Sequence, residues 1–196
     1  MAKAIETRLT ILQKAFELIY SRGYQTTSID EIIATTQVTK GAFYYHFKNK
    51  DSMGLAIIDE ILKPSMTEAF IKPLENAVNP IEEIYEMIND LLLNNPFLKL
   101  EYGCPAGNLT QEMTPWNIEF SNVLSELIHQ WHSTMEKSID RGKENGTVRN
   151  DVNAEQVVYF VMSGYWGIRN FGKVFNNNEC YHLYLKELKI YLNNLK

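Results

Sequence analysis

The chain has 196 residues, enough for one large domain or two small ones. Its 45% apolar residues, with only ten glycines and six prolines, exclude a disordered or fibrous protein. The net charge of −5 is uneven: residues 1–50 hold seven Lys/Arg against four Asp/Glu, a balance of +3, and the remainder holds twelve against twenty, a balance of −8. Only the first quarter therefore attracts polyanions at long range.

The N-terminal sequence MAKAIETRLTILQKAF lacks the apolar core of a signal peptide, and no apolar run approaches the length of a membrane span. We therefore expect a soluble, cytoplasmic protein. Two cysteines, Cys104 and Cys180, are too few for a disulfide framework and lack metal-ligand spacing. Two thiols in a reducing cytosol are expected, with a bridge between them as the alternative.

The first predicted helix runs to Gly23, which supplies a stop signal. Its apolar stripe has the 3.6-residue period of a helix and consists of Ile5, Leu9, Leu12, Phe16 and Ile19.

Three short helices follow over residues 27–62, and each begins after a residue able to cap it. Thr27 or Ser28 can cap the first, and Ser28 with Glu31 has capping-box spacing. Thr39 can cap the second and Asn49 the third. Two short helices separated by the tight turn at TQV indicate a helix-turn-helix.

Beyond Pro73 the predicted helices lengthen. One covers 80–94, an irregular stretch follows, and a long helix runs from Pro115 to about Gly146. An apolar helix around 154–175 and a final helix near 179–195 close the chain. Because no convincing strand appears, the predicted fold class is all-α.

The segment TKGAFYYHFKNKD, residues 39–51, interleaves four aromatic rings with three lysines and a histidine, unlike a hydrophobic core. A helix that enters the major groove needs small or polar side chains at its leading edge and phosphate-binding groups beside them. Lys40 can donate to guanine O6 or N7, while Phe43 and Phe47 face the protein. The predicted DNA-binding residues are Thr27, Ser28, Thr39, Lys40, Gly41, Ala42, Tyr44, Tyr45, His46 and Lys50. An amphipathic surface without a DNA partner is the alternative that spacing leaves open.

Residues 26–53 closely resemble the helix-turn-helix of the tetracycline-repressor (TetR) family of transcriptional regulators. The matching elements are Thr27-Ser28, Ile32, Val38-Thr39-Lys40-Gly41, Phe43-Tyr44-Tyr45-His46-Phe47 and Lys50. The resemblance implies an N-terminal DNA-binding domain at 1–50, a connecting helix at 50–72 and a larger helical effector-binding and dimerisation domain at 73–196. One departure is Gln37, where the family usually has glycine. A left-handed backbone there costs about 1 kcal/mol for a non-glycine residue.

A small-molecule pocket needs apolar walls and a few polar groups. In the C-terminal part, the candidate effector-binding residues are Tyr85, Tyr102, Asn108, Glu112, Trp116, Phe120, Trp131, Tyr165, Trp166 and Arg169. For any single aromatic residue in this set, core packing is the alternative. The last two helices are the predicted dimer surface, as in the family, through Ser163, Gly164, Gly167, Tyr184 and Leu188.

An enzyme of the di-iron carboxylate class is a second interpretation. Glu126/His129 and Glu179/His182 are both Glu-x-x-His pairs on predicted helices, and Glu83 and Glu112 could complete the ligand set. A helical scaffold that binds other proteins is a third. Neither alternative explains residues 27–50.

The sequence thus predicts a homodimeric, TetR-like transcriptional regulator, without cofactor, metal or catalytic residues. Its expected partners are a double-stranded, pseudo-palindromic DNA operator and a small-molecule effector that releases the protein from it, with no membrane partner.

Overall fold

The computed structural model describes residues 2–196, and side chains from Ala4 onward. Within this range every regular element is helical, as the sequence predicted, and no helix is long and apolar enough to cross a membrane. The α-helices are α1 (Ala2–Arg22), α2 (Ile29–Ala34), α3 (Lys40–His46), α4 (Lys50–Ile57), α5 (Lys63–Met66), α6 (Lys72–Glu75), α7 (Pro80–Leu93), α8 (Pro105–Met113), α9 (Ile118–Glu144), α10 (Ala154–Phe175) and α11 (Glu179–Asn193).

The chain forms two compact units. Unit 1 contains Met1–Ser65 and Pro105–Ser125, and unit 2 contains Met66–Cys104 and Glu126–Lys196. The sequence-based division at residue 73 assigns 105–125 to the C-terminal domain, whereas the contacts assign these residues to unit 1. Phe120 illustrates why, because its ring packs edge-on against Tyr24 with 5.1 Å between centroids.

Unit 1 is built around α1, which contacts α2, α3 and α4. Leu12, Phe16 and Ile19 are buried as predicted. The predicted stripe is wrong at its start, because Ile5 and Leu9 are exposed and burial along α1 begins at Ile11. Periodicity identifies the apolar face of a helix but not how far along the helix its partners reach.

The helical path between α4 and α6 contains two π-helical segments, Ile58–Leu62 and Thr67–Ile71. Each ends shortly before a proline, Pro64 or Pro73, whose ring cannot donate a backbone hydrogen bond and collides with the carbonyl four residues back. The residue before each proline instead bonds five residues back, Lys63 N–H to Ile58 O and Lys72 N–H to Thr67 O. The prolines thus explain the wider turns.

Unit 2 packs α11 against α7 and α10. Three buried rings, Phe70, Trp131 and Tyr165, meet edge-to-face with centroids 4.9 to 5.7 Å apart. Such pairs add about 0.5–1.5 kcal/mol beyond the area they bury. The two cysteines, Cys104 and Cys180, are thiols rather than a disulfide.

Three of the predicted dimer residues belong to the packing of a single subunit. A Cβ on Gly164 would lie 2.6 Å from the Tyr184 hydroxyl oxygen, so Gly164 brings α10 and α11 of one chain together. Leu188 is buried in the same subunit. Leu188 is therefore a core residue and not the predicted interface residue. Gly164 and Tyr184 are half-buried and contact each other within the subunit, a contact that helical spacing alone does not reveal. Ser163 is exposed, and a Cβ on Gly167 would meet nothing within 4 Å.

Candidate nucleic-acid interface

The two helices of the predicted motif are fixed by side-chain caps. Ser28 Oγ accepts from the Glu31 amide at 3.2 Å, and the Glu31 carboxylate accepts from the Ser28 amide at 2.8 Å, which completes the predicted capping box. Thr39 Oγ1 accepts from the Ala42 amide at 3.2 Å. Asn49 caps α4 through the Ser52 amide at 2.8 Å. All three predicted caps are confirmed, and each stabilises its helix by about 1 kcal/mol.

The turn between α2 and α3 avoids the left-handed backbone that would strain Gln37. Among the described non-glycine residues, only Asn176 has a positive φ. Hydrogen bonds from Thr36 N–H to Ile33 O at 3.0 Å and from Val38 N–H to Thr36 Oγ1 at 3.2 Å form the turn instead. The turn is therefore reshaped around Gln37, and the cost of a left-handed residue does not arise.

Helix α3, the candidate recognition helix, has one buried face and one exposed face. Phe43 and Phe47 are buried, with ring centroids 5.6 Å apart, and the Arg8 guanidinium lies 4.5 Å from the Phe47 ring centroid. Tyr44 and Tyr45 are exposed, Tyr45 to 78%. The interleaving of rings in the sequence thus corresponds to two faces of one helix.

The N-terminal end of α3 is open. Thr39, Lys40 and Gly41 are exposed and Ala42 is half-buried. A Cβ added to Gly41 would meet only Thr39 Oγ1, at 4.0 Å. Since glycine inside a helix costs about 1 kcal/mol relative to alanine, and no packing in the described chain requires its small size here, Gly41 keeps the backbone accessible from outside.

Lys40 forms an ion pair that sequence analysis missed. Its Nζ donates to Asp30 Oδ1 at 2.8 Å, joining the first turn of α3 to the first turn of α2. The hydrogen bond and the charge of Asp30 raise the pKa of the Lys40 ammonium. The two residues are ten apart in sequence, so no helical spacing signals the contact.

Thr27 is buried and does not belong to the exposed surface at the N-terminal end of α3. It is 1% exposed, and its hydroxyl donates to Gly23 O at 2.7 Å, so the structure corrects its interpretation as a DNA contact to a role in the loop after α1. Ser28 is exposed beside it, and His46 is half-buried.

Lys50, the first residue of α4, is half-buried. Its ammonium lies 4.4 Å from the Tyr24 ring centroid and donates to Gln25 O at 3.5 Å. Burial lowers the pKa of this ammonium. The contacts hold the charge of Lys50 at the N-terminus of α4.

Four effector candidates lie in unit 1 and are dispersed there. Glu112 accepts from the Gln25 amide at 3.0 Å, Phe120 is buried against Tyr24, and Trp116 is 80% exposed. Asn108 is half-buried on α8. The structure thus corrects Phe120 to a core residue of unit 1 and leaves Trp116 outside any enclosed site.

The other six candidates lie in unit 2. Trp131 and Tyr165 meet in the buried aromatic cluster, and the buried Arg169 donates to Lys99 O at 2.8 Å and to Gly103 O. Tyr102 and Trp166 are half-buried. Tyr85 instead borders a surface groove near α11, where Lys189 Nζ lies 4.8 Å from its ring centroid. Trp131 and Tyr165 are thus two candidates in direct ring contact.

The di-iron interpretation has no support. Glu126, His129, Glu179 and His182 all lie at exposed positions, whereas such a site needs ligands that converge inside a bundle. Within residues 2–196 no three His, Cys, Asp or Glu side chains form a group that could hold a metal ion.

Comparison with known families yields two matches that together cover most of the chain. Residues 11–57 match the family described as bacterial regulatory proteins, tetR family. Residues 80–188 match the family described as tetracyclin repressor-like, C-terminal domain. The first match contains α2, α3 and α4, and the second contains most of unit 2.

Individual relatives extend over nearly the whole chain. The transcriptional repressor DhaR of Mycobacterium sp. (strain GP1) is 24% identical over 179 residues, 88% of this chain and 85% of that one. The regulator QacR of Staphylococcus aureus (strain Mu50) is 29% identical over 189 residues, 94% and 96% of the two chains. A TetR regulator from Chloroflexus aurantiacus shares the fold, with a TM-score of 0.87, 23% identity and coverage of 98% and 96%.

Proposed function

Because this chain belongs to the TetR family of bacterial transcriptional regulators, it is a DNA-binding regulator, and we propose that it acts as a homodimeric repressor. The relative DhaR is a transcriptional repressor, which supports repression over activation. Each subunit presents one α3, so the dimer would bind a pseudo-palindromic operator with half-sites about one helical turn or more apart.

The observation that carries the DNA-binding role is the open N-terminal end of α3. Gly41 costs helix stability, and its own unit leaves room for a side chain there. A partner that approaches the backbone closely accounts for glycine at this position. Base edges in the major groove are such a partner. The proposed contact residues are Ser28, Thr39, Lys40, Gly41, Ala42, Tyr44, Tyr45, His46 and Lys50.

Gly41→Leu tests this role, because stability and DNA binding should respond differently. Leucine is a better helix former, so we expect the free energy of unfolding to stay the same or rise by up to about 1 kcal/mol. We expect operator affinity to fall at least about tenfold, because the side chain fills the space that a base edge would occupy. Thermal unfolding and fluorescence anisotropy measure the two effects.

Gly54→Ala is the matched control. There a Cβ would lie 2.6 Å from a Phe120 ring carbon and 2.7 Å from a Tyr24 ring carbon, so stability should fall. Operator affinity unchanged in a folded Gly41→Leu protein would contradict a DNA-binding role for this face.

Lys50 is proposed to bind a phosphate from the start of α4. We expect Lys50→Ala to weaken binding to all DNA sequences about equally and to flatten the slope of log K against log salt by about 0.9. Lys137→Ala, at an exposed position of α9, is the control and should leave the slope unchanged. A folded Lys50→Ala protein with the wild-type slope would remove Lys50 from the interface.

Dimerisation is proposed to use an exposed apolar face on the last two helices. On α10, Phe160, Gly167, Phe171 and Val174 follow helical spacing along one side, and the three apolar side chains are exposed. On α11, Leu183 and Ile190 are exposed. We name these six residues together the apolar face. Exposed apolar residues that recur at helical spacing support an interaction site on these helices.

The effector is proposed to bind in unit 2 beside Trp131. The Trp131 indole Nε1 is buried and has no hydrogen-bond partner among the described residues. The Trp131 ring packs edge-to-face against the rings of Tyr165 and Phe70. Apolar walls with a few directed polar groups are the usual composition of a small-molecule site. Release from DNA requires that the effector favour a state with the wrong spacing of recognition helices by a few kcal/mol.

A further inference from the structure

We propose that Asp30 is a specificity-determining residue of the DNA-binding face. By holding the Lys40 ammonium, Asp30 directs Lys40 towards a base edge that offers hydrogen-bond acceptors and keeps it from binding phosphates at any sequence. The inference rests on the proposed DNA-binding function and assigns a role to a residue of α2 outside the recognition helix.

The pair lies at the exposed N-terminal end of α3. Asp30 is the second residue of α2 and Lys40 is the first residue of α3, and their charged atoms are 2.8 Å apart. The side chains of Asp30 and Lys40 are 74% and 61% exposed, so packing does not force them together. The pair therefore remains accessible to a ligand that approaches the N-terminal end of α3.

The neighbouring carboxylate is engaged elsewhere. Glu31 accepts from the Ser28 amide and hydroxyl, both at 2.8 Å, and lies 3.7 Å from the Arg22 guanidinium. Asp30 is thus the carboxylate available to Lys40 from the first turn of α2. A cation at the N-terminus of a helix is disfavoured by the helix dipole, and Asp30 offsets this.

The electrostatic consequence differs between phosphate and base. A lysine ammonium is a flexible point charge that binds any phosphate it reaches. A carboxylate 2.8 Å from that ammonium repels an approaching phosphate, because the two anions compete for one cation. The edge of guanine carries neutral acceptors, O6 and N7, and does not meet the same repulsion. Asp30 thus lowers affinity for random DNA and preserves the contact that reads sequence.

Stability alone does not explain the pair. Exposed ion pairs contribute little to stability, so loss of the Asp30 charge should leave the fold intact. Arg149 and Asp151 form a similar pair in unit 2, at 3.0 Å with Asp151 74% exposed. Asp151→Asn therefore makes the same chemical change, at the same exposure, in the other unit.

The test uses the full-length chain with Asp30→Asn, which removes the charge and keeps the shape. Affinity is measured for the operator selected by the wild-type protein and for a duplex of scrambled sequence, at several salt concentrations. We expect affinity for scrambled DNA to rise roughly tenfold at 0.1 M salt and the salt slope to steepen by about 0.9, as for one added phosphate contact. We expect Asp151→Asn to behave as wild type.

A second set of variants ties the effect to Lys40. Lys40→Ala should relax base preference at one position in each half-site, with a cost of about tenfold to a hundredfold in operator affinity. Asp30→Asn should relax the base preference at the position that Lys40 reads. When Lys40 is already replaced by alanine, Asp30→Asn should not change the base preference at that position further. Selection of bound duplexes from a random pool reads out the preference for each variant.

Two results would overturn the inference alone. One is an Asp30→Asn protein with wild-type base preference and wild-type affinity for scrambled DNA. The other is an equal effect of Asp30→Asn with and without Lys40, which would show general repulsion. If the wild-type protein itself enriches no sequence, the proposed function fails and this inference fails with it.

Discussion

Gly167→Arg should convert the protein from dimers to monomers and reduce operator affinity by a factor of about 10² to 10⁴, the usual gain from a second linked site. A Cβ at Gly167 would meet nothing within 4 Å in its own chain, so the subunit itself should tolerate the substitution. Phe160 and Phe171 flank the position on the apolar face and are exposed. A guanidinium inserted there would lie unpaired inside the proposed interface, which is strongly unfavourable.

Sedimentation velocity measures the oligomeric state, and anisotropy titration measures affinity for the operator. Gln130→Arg, at an exposed position of α9, is the control and should remain dimeric. Gly164→Arg should behave differently, because a Cβ there meets Tyr184 in the same subunit and the substitution should lower thermal stability. A dimeric Gly167→Arg protein with normal operator affinity would place the interface elsewhere.

Phe43→Ala should destabilise the DNA-binding unit by about 3–5 kcal/mol, the usual cost of removing a fully buried phenylalanine ring. The ring is 0% exposed and contacts Phe47 and Tyr44, with centroid distances of 5.6 and 5.4 Å. Without it α3 loses a fully buried side chain on its packed face. We expect the variant to lose operator binding because this unit unfolds. Denaturant titration measures the loss of stability.

Tyr45→Ala is the matched variant on the opposite face. Because Tyr45 is 78% exposed, its removal should change the free energy of unfolding by less than about 0.5 kcal/mol. Operator affinity should nevertheless fall, since the phenol is proposed to contact the sugar–phosphate backbone. If both substitutions lowered stability alike, or if neither weakened binding, the division of α3 into a packed face and a DNA face would be wrong.

Much of the local structure could be predicted because its causes lie within four residues. Ser28, Thr39 and Asn49 cap their helices as expected, since a capping hydroxyl or amide bonds the backbone two or three residues on. Phe43 and Phe47 are buried as expected, since four-residue spacing puts them on one side of α3. The all-α fold followed from the same periodicities.

Contacts between distant segments could not be predicted in the same way. The Asp30–Lys40 pair depends on how α2 and α3 meet, and Gly164 contacts Tyr184 because of how α10 and α11 cross. The burial of Thr27 depends on its hydrogen bond to Gly23 in the loop after α1. The backbone at Gln37 was predicted only conditionally, because a side-chain hydroxyl at Thr36 supplies an alternative turn. Each of these features is set by tertiary geometry or by competition between local hydrogen bonds.

The central claim is that the protein binds DNA as a homodimer. The most direct test lets the full-length protein select duplexes from a random DNA pool. Native mass spectrometry then gives the number of chains bound to each selected duplex. Two copies of α3 related by two-fold symmetry should enrich a pseudo-palindrome whose half-sites lie about one helical turn or more apart. Two chains should be bound to each duplex. A pool that remains random, or an asymmetric sequence bound by one chain, would contradict the account.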